Sequence, residues 1–199
     1  MDIKTLKKEY QKRKTEIKQR LKDFKKSKDH FYELCFCLLT PQSKAFKCDA
    51  CIKVLQEKDF KNNEFELNNI LKKYTRFHNN KSNYLVRFKD SHAKILGDLE
   101  KIKSPVEKRD YLVENIKGLG LKEASHFLRN RGYENLAILD RHILNHLNGL
   151  NLIKLPKSLS KNKYLEIEKI FQDFSKKISI PMDELDLLFW SLQTGQVFK

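Results

Sequence analysis

Apolar residues recur along this chain at intervals of three, four and seven far more often than at intervals of two, the period of helices rather than strands. In the first 28 residues Leu6, Tyr10, Ile17, Leu21 and Phe24 form one such stripe on an otherwise charged segment, which predicts an amphipathic helix docked on a core. HFYELCFCLLT is nearly all apolar and reads as a buried helix that stops at Pro41, because a residue preceding proline avoids helical angles. SKAFKCDACIKVLQEK carries the next apolar face through Ala45, Cys48, Ile52 and Leu55. EFELNNILKKY is a third segment, which ends before the polar stretch RFHNNKS, and NYLVRFKDSHAKILGDLEK gives a longer helix. Ser104-Pro105-x-Glu107 is a helix start, with Ser as cap, Pro in the first turn and Glu at the capping-box position. The helix it opens, PVEKRDYLVENIK, runs into Gly118-Leu119-Gly120. LKEASHFLRNR follows and ends at Gly132, suited to a left-handed C-cap, and Asp140 caps RHILNHL. The last third carries LSKNKYLEIEKIFQDFSKKI and, after Pro181, MDELDLLFWSLQTG. With six Gly, four Pro, no internal repeat and no low-complexity linker, the chain is expected to be all-α.

Composition narrows the class. At 199 residues and 40% apolar content the chain can bury a substantial core, which excludes disorder as a global description. It has no run of 18 apolar residues, and MDIKTLKKEYQKRK is too charged for a signal-peptide core, so a cytoplasmic protein is expected. Charge changes the picture more: 41 Lys and Arg against 26 Asp and Glu give a net +15. Residues 1–28 hold ten Lys and two Arg against four acids, a net +8, more than half of that excess. A polyanion is the expected partner, nucleic acid above all. For the first helix alone, a solvated lysine face that only aids solubility is the competing account.

Cys35, Cys37, Cys48 and Cys51, as Cys-x-Cys and Cys-x-x-Cys, could close a zinc tetrahedron. They lie, however, in apolar or helical segments with no glycine knuckle, so buried structural thiols are the preferred reading. A disulfide is disfavoured in a reducing compartment.

The chemistry-bearing stretch is YLVENIKGLGLKEASHFLRNRG, helix, Gly-x-Gly turn, helix. Two glycines in so short a connection permit positive backbone angles, and with the start of the second helix their N–H groups would make a small concavity for a phosphate oxygen. A bare helix–helix turn would use the same glycines. Lys122 sits in the first turn of the second helix, where an amine beside the positive helix end is a candidate nucleophile. A surface lysine contacting phosphate is the plainer alternative. Asp140, 18 residues on, could stabilise a developing sugar cation or assist proton transfer; the alternative is simple capping.

VENIKGLGLKEASHFLRNRG followed by LAILDRHIL resembles the helix-hairpin-helix superfamily of base-excision-repair DNA glycosylases. LLTPQSKA, RFHNNKS and the C-terminal FWSLQTGQVFK make the archaeal-type 8-oxoguanine DNA glycosylase/AP lyases the nearer likeness, over nearly the whole chain. The resemblance implies an all-α fold of two helical subdomains flanking a cleft, residues 1–30 and 145–199 against 31–144, with the hairpin at 105–132. It implies that Lys122 is the Schiff-base nucleophile and Asp140 the catalytic carboxylate, and that Gly118 and Gly120 hold a DNA phosphate. Lys199 would line the lesion pocket, Trp190 and Phe77 would stack on the extruded base, and Gln42 would fill the gap it leaves. By itself Trp190, in the apolar run LDLLFW, would be read as core. The partner implied is double-stranded DNA containing 8-oxoguanine, bound by a monomer near the nucleoid, with no membrane and no cofactor. Relatives of the endonuclease-III type carry a C-terminal four-cysteine iron–sulfur loop, and the absence of any Cys after Cys51 excludes a cluster there. Two other functions compete: a bifunctional glycosylase for oxidised pyrimidines, and a non-catalytic helix-hairpin-helix DNA-binding module.

Overall fold

A computed structural model describes residues 2–198, among which all regular structure is α-helical. The helices are α1 (Ile3–Lys26), α2 (His30–Leu39), α3 (Ala45–Glu57), α4 (Asn68–Tyr74), α5 (His78–Lys101), α6 (Pro105–Asn115), α7 (Leu121–Asn130), α8 (Arg141–Gly149), α9 (Lys161–Ile178) and α10 (Met182–Thr194). Among the described residues no helix is long and apolar enough to cross a membrane. The chain divides into a terminal unit, residues 1–27 with 128–199, and a central unit, residues 28–127. Residues 128–144 thus group with the two ends of the chain, and the second division falls within α7.

In the terminal unit α10 is the core helix, packed by α1, α8 and α9. Every residue from Met182 to Phe189 is buried, three acids included, and each acid has a partner that offsets the cost of leaving water. The Glu184 carboxylate accepts from the Tyr10 hydroxyl at 2.5 Å, Asp186 pairs with Arg129 at 3.0 Å, and Asp183 accepts the Asn135 N–H at 3.2 Å. The Arg129 guanidinium also lies 5.0 Å from the centre of the Phe24 ring. On α1 the stripe docks as its spacing predicts, with Leu6, Tyr10, Ile17 and Phe24 buried, although Leu21 is only half-buried.

In the central unit α2 is buried from Phe31 to Leu39 apart from Glu33, and packs on α3 and α5. The four cysteines have no exposure. Burial pushes Cys35 well above the usual thiol range, Cys48 up to about 11 and Cys51 up to about 12. The Cys48 thiol donates to the Leu39 carbonyl at 3.3 Å, so these side chains serve as small core residues. The periodicity misplaces two boundaries. Helix α4 starts at Asn68, not Glu64, after a turn in which Asp59 is left-handed (φ 48°). Helix α5 starts at His78, five residues before Asn83, so most of the polar RFHNNKS is helical. The stripe that buries it is Lys81, Leu85, Phe88, Ile95 and Leu99, with a lysine in an apolar position. Helix α6 begins at the Ser104 cap, whose hydroxyl accepts the Glu107 N–H at 3.4 Å.

Candidate active site

The hairpin is shaped from α5. Between α6 and α7 the Leu119 N–H donates to the Ile116 carbonyl at 3.2 Å, and Gly118 has φ 91°. A Cβ on Gly118 would lie 2.2 Å from Cδ2 of Tyr84, so both the torsion and the aromatic ring require glycine there. Gly120 differs from the expectation for a pair of left-handed glycines: only Gly118 has positive φ. Gly120 instead precedes α7, its carbonyl accepts the Ala124 N–H at 2.9 Å, and a Cβ on it would come within 3.1 Å of the Glu123 carboxylate. One flipped residue is enough to reverse the chain, while the second keeps a Cβ away from the Glu123 carboxylate at the start of the helix.

Lys122 lies in the first turn of α7, its side chain 23% exposed, with Nζ 3.1 Å from Oε1 of Glu123. The amine is therefore reachable from solvent yet held by a neighbouring carboxylate. Two more candidates belong to the same unit. Gln42 is exposed with φ 52°, and Phe77 is 52% exposed with φ 56° at the N-cap of α5. Both are left-handed, a conformation that non-glycine residues rarely adopt. The Arg76 guanidinium lies 5.6 Å from the Phe77 ring centre.

In the terminal unit Asp140 caps α8, Oδ1 accepting the Ile143 N–H at 2.8 Å. The preceding segment, Leu136–Leu139, is buried and anchored to α9: the Ala137 N–H donates to Glu168 at 2.7 Å and the Tyr164 hydroxyl donates to the Ala137 carbonyl at 2.5 Å. Capping uses one carboxylate oxygen and leaves Oδ2 unengaged by the cap, so capping and catalysis are compatible in this residue. Trp190 follows the buried run of α10 and is itself half-buried, not core. The His142 ring meets it edge-on, centroids 5.5 Å apart at 87°, which ties the helix opened by Asp140 to the indole. Lys199 lies outside the described residues.

Residues 11–180 match the family described as 8-oxoguanine DNA glycosylase with a helix-hairpin-helix. The chain belongs to that family. The 8-oxoguanine DNA glycosylase/AP lyase of Fusobacterium nucleatum is 44% identical, the alignment covering 96% of this chain and 94% of that protein. The Methanocaldococcus jannaschii protein of the same name is 41% identical, covering 92% and 91%. The crystal structure of the M. jannaschii 8-oxoguanine glycosylase/lyase in complex with 15mer DNA containing 8-oxoguanine superposes with a TM-score of 0.89 at 40% identity, covering 99% of both chains. That of the Thermotoga maritima 8-oxoguanine DNA glycosylase also gives 0.89, at 34% identity, covering 99% of this chain and 98% of the other. The hairpin, Lys122 and Asp140 fall inside the matched family span, and Trp190 lies beyond it.

For this member of the 8-oxoguanine glycosylase family, sequence patterns miss two side chains beside the candidate residues. Glu123 escapes notice because an acid in a first helical turn is ordinary. Lys81 escapes because a lysine in RFHNNKS reads as loop surface; its fit to the stripe Leu85, Phe88, Ile95, Leu99 is the one signal that could have found it.

Proposed function

We propose that this protein is a base-excision-repair DNA glycosylase with AP lyase activity that removes 8-oxoguanine from duplex DNA. The observation that carries the reading is Lys122, a partly exposed amine on the first turn of α7 behind a tight Gly118 turn, in a chain of the 8-oxoguanine DNA glycosylase family. The target nucleotide must leave the stack, because its C1′ atom is inaccessible inside a duplex, at a cost of a few kcal/mol. Phe77 and Trp190 offset that cost by stacking on the extruded base, Gln42 occupies the gap, and Lys199 contributes to the lesion pocket. Gly118 and Gly120 let the neighbouring phosphate approach the hairpin backbone.

Lys122 attacks C1′ as the neutral amine, and the bond to the purine breaks as the N–C1′ bond forms. The purine leaves with the glycosidic electron pair and takes up a proton, while Asp140 stabilises the cationic sugar. Ring opening gives an imine between Lys122 and C1′. Loss of a C2′ proton then expels the 3′ phosphate, and hydrolysis of the imine frees the enzyme. The basic first helix adds sequence-independent attraction to phosphate and keeps the protein on the nucleoid DNA it searches.

Borohydride trapping tests this directly. Wild-type protein should become covalently linked to a duplex carrying 8-oxoguanine and nick it, whereas Lys122→Gln should bind the duplex and form no crosslink. Binding without crosslink or nick by the wild type would leave only a DNA-binding module. Preferential nicking of a duplex carrying an oxidised thymine would move the substrate to pyrimidines.

A further inference from the structure

The central unit buries a lysine that the mechanism above does not use. Lys81 is 3% exposed, and its Nζ donates to the carbonyls of Leu39 at 2.7 Å and Pro41 at 2.8 Å, to Ser43 Oγ at 2.9 Å and to Thr75 Oγ1 at 2.6 Å. Three ammonium protons are thus shared among four acceptors. The two hydroxyls close a ring around it. The Arg76 N–H donates to Ser43 Oγ at 3.0 Å, and the Thr75 hydroxyl donates to the Arg76 carbonyl at 2.9 Å. The two hydroxyls lie 3.0 Å apart, and the Ser43 hydroxyl also donates to the Pro41 carbonyl at 3.4 Å.

The acceptors come from two segments distant in sequence. Residues 39–43 carry Gln42, residues 75–77 carry Phe77, and both of those side chains stand on left-handed backbone. Such torsions persist in non-glycine residues only where the surroundings over-determine them. Here the over-determination is visible: Lys81 and the Ser43–Thr75–Arg76 ring join the two turns, and the Lys81 N–H donates to the Phe77 carbonyl at 3.1 Å. A shape-filling apolar residue at position 81 would pack the same space and leave the Leu39 and Pro41 carbonyls without this donor. Burial above all holds the Lys81 amine down to about 8. Lys122 on α7 and Arg76 push the same way, and Cys48 on α3 and Glu123 on α7 oppose them.

We propose that Lys81 is a positioning residue for base extrusion, clasping the Gln42 turn to the Phe77 turn so that gap-filling side chain and stacking ring are presented to DNA together. The inference rests on the roles proposed above for Gln42 and Phe77.

The test compares wild type, Lys81→Met, the pair Ser43→Ala/Thr75→Val, Gln42→Ala and Phe77→Ala. Two duplexes are used under single turnover at saturating enzyme, one carrying 8-oxoguanine with 2-aminopurine beside it to report unstacking, the other carrying an abasic site in place of the lesion. Lys81→Met should lose about ten- to a hundredfold in 8-oxoguanine excision together with the fluorescence rise, and keep abasic-strand cleavage within about threefold. A purely structural defect would lower both cleavages alike. Wild-type excision and fluorescence in Lys81→Met, or equal losses on the two duplexes, overturns the inference. Should Lys81→Met unfold, Ser43→Ala/Thr75→Val is judged by the same two criteria. Impaired Gln42→Ala and Phe77→Ala beside a normal Lys81→Met removes the inference alone; normal Gln42→Ala and Phe77→Ala removes the roles of those residues and the inference with them.

Discussion

Gly118 shows how two independent constraints meet at one residue. Its φ of 91° disfavours any side chain, and the Tyr84 ring occupies the place where a Cβ would go. Gly118→Ala should destabilise the protein by on the order of 2–4 kcal/mol, combining torsional strain with overpacking. Urea unfolding would measure it. Adding Tyr84→Ala should recover only the overpacking part, so a complete recovery would show that the torsion matters little. The two glycines of the motif look equivalent in one dimension, yet only Gly118 needs positive φ. The distinction comes from Tyr84, 34 positions away on α5, a neighbour that no local pattern identifies.

At the scale of elements, α10 combines a helical pattern with side chains that ordinarily stay in water. Its sequence MDELDLLFWSLQT looks like a helix with an acidic, exposed start, but the acids are buried on Tyr10, Arg129 and Asn135. The pairing is uneven. Burial raises Asp183 from 3.8 to about 6, because the Asn135 N–H and Arg129 do not fully replace lost hydration. The sign follows from linkage: the folded state holds the Asp183 proton more tightly than the unfolded chain, so its contribution is fully favourable below about pH 4 and is lost as pH rises to about 6. Asp183→Asn removes that dependence. Its stability relative to wild type should increase between pH 4 and pH 6.5 by on the order of 1–3 kcal/mol, whatever the constant offset from exchanging the group. Parallel pH profiles in urea titrations would contradict a neutralised buried Asp183. Helix α5 makes the complementary point: periodicity places its start too late because His78, Asn79, Asn80 and Lys81 are polar, and Lys81 is buried on acceptors from residues 39–43 and 75.

At the scale of the whole molecule, charge and chemistry occupy different parts of the chain. More than half of the net +15 lies in residues 1–28, while the proposed nucleophile is Lys122. On α1, Lys7, Lys18 and Lys22 are exposed, whereas Lys12 pairs with Glu9 and Lys25 with Glu134. Replacing those three by Gln should weaken binding to undamaged duplex and reduce the slope of log K against log salt by about 0.9 for each lysine that touches phosphate. Single-turnover excision at saturating enzyme should stay at the wild-type rate. A large fall in that rate would mean that the basic helix shapes the site as well as holding the DNA.

The sequence by itself determined the helical class, the α1 stripe, the Ser104 and Asp140 caps, the hairpin and the family, because each is written in spacing over a few turns or in a short contiguous motif. It also determined that the four cysteines sit in apolar surroundings, where the structure finds them fully buried. Only the tertiary structure decided which glycine is irreplaceable, where α5 begins, how the α10 acids are satisfied, and that Lys81 joins the Gln42 and Phe77 turns. These depend on partners separated by tens of residues. A buried charge is stable only when such partners converge on it, and convergence in space leaves no periodic trace along the chain.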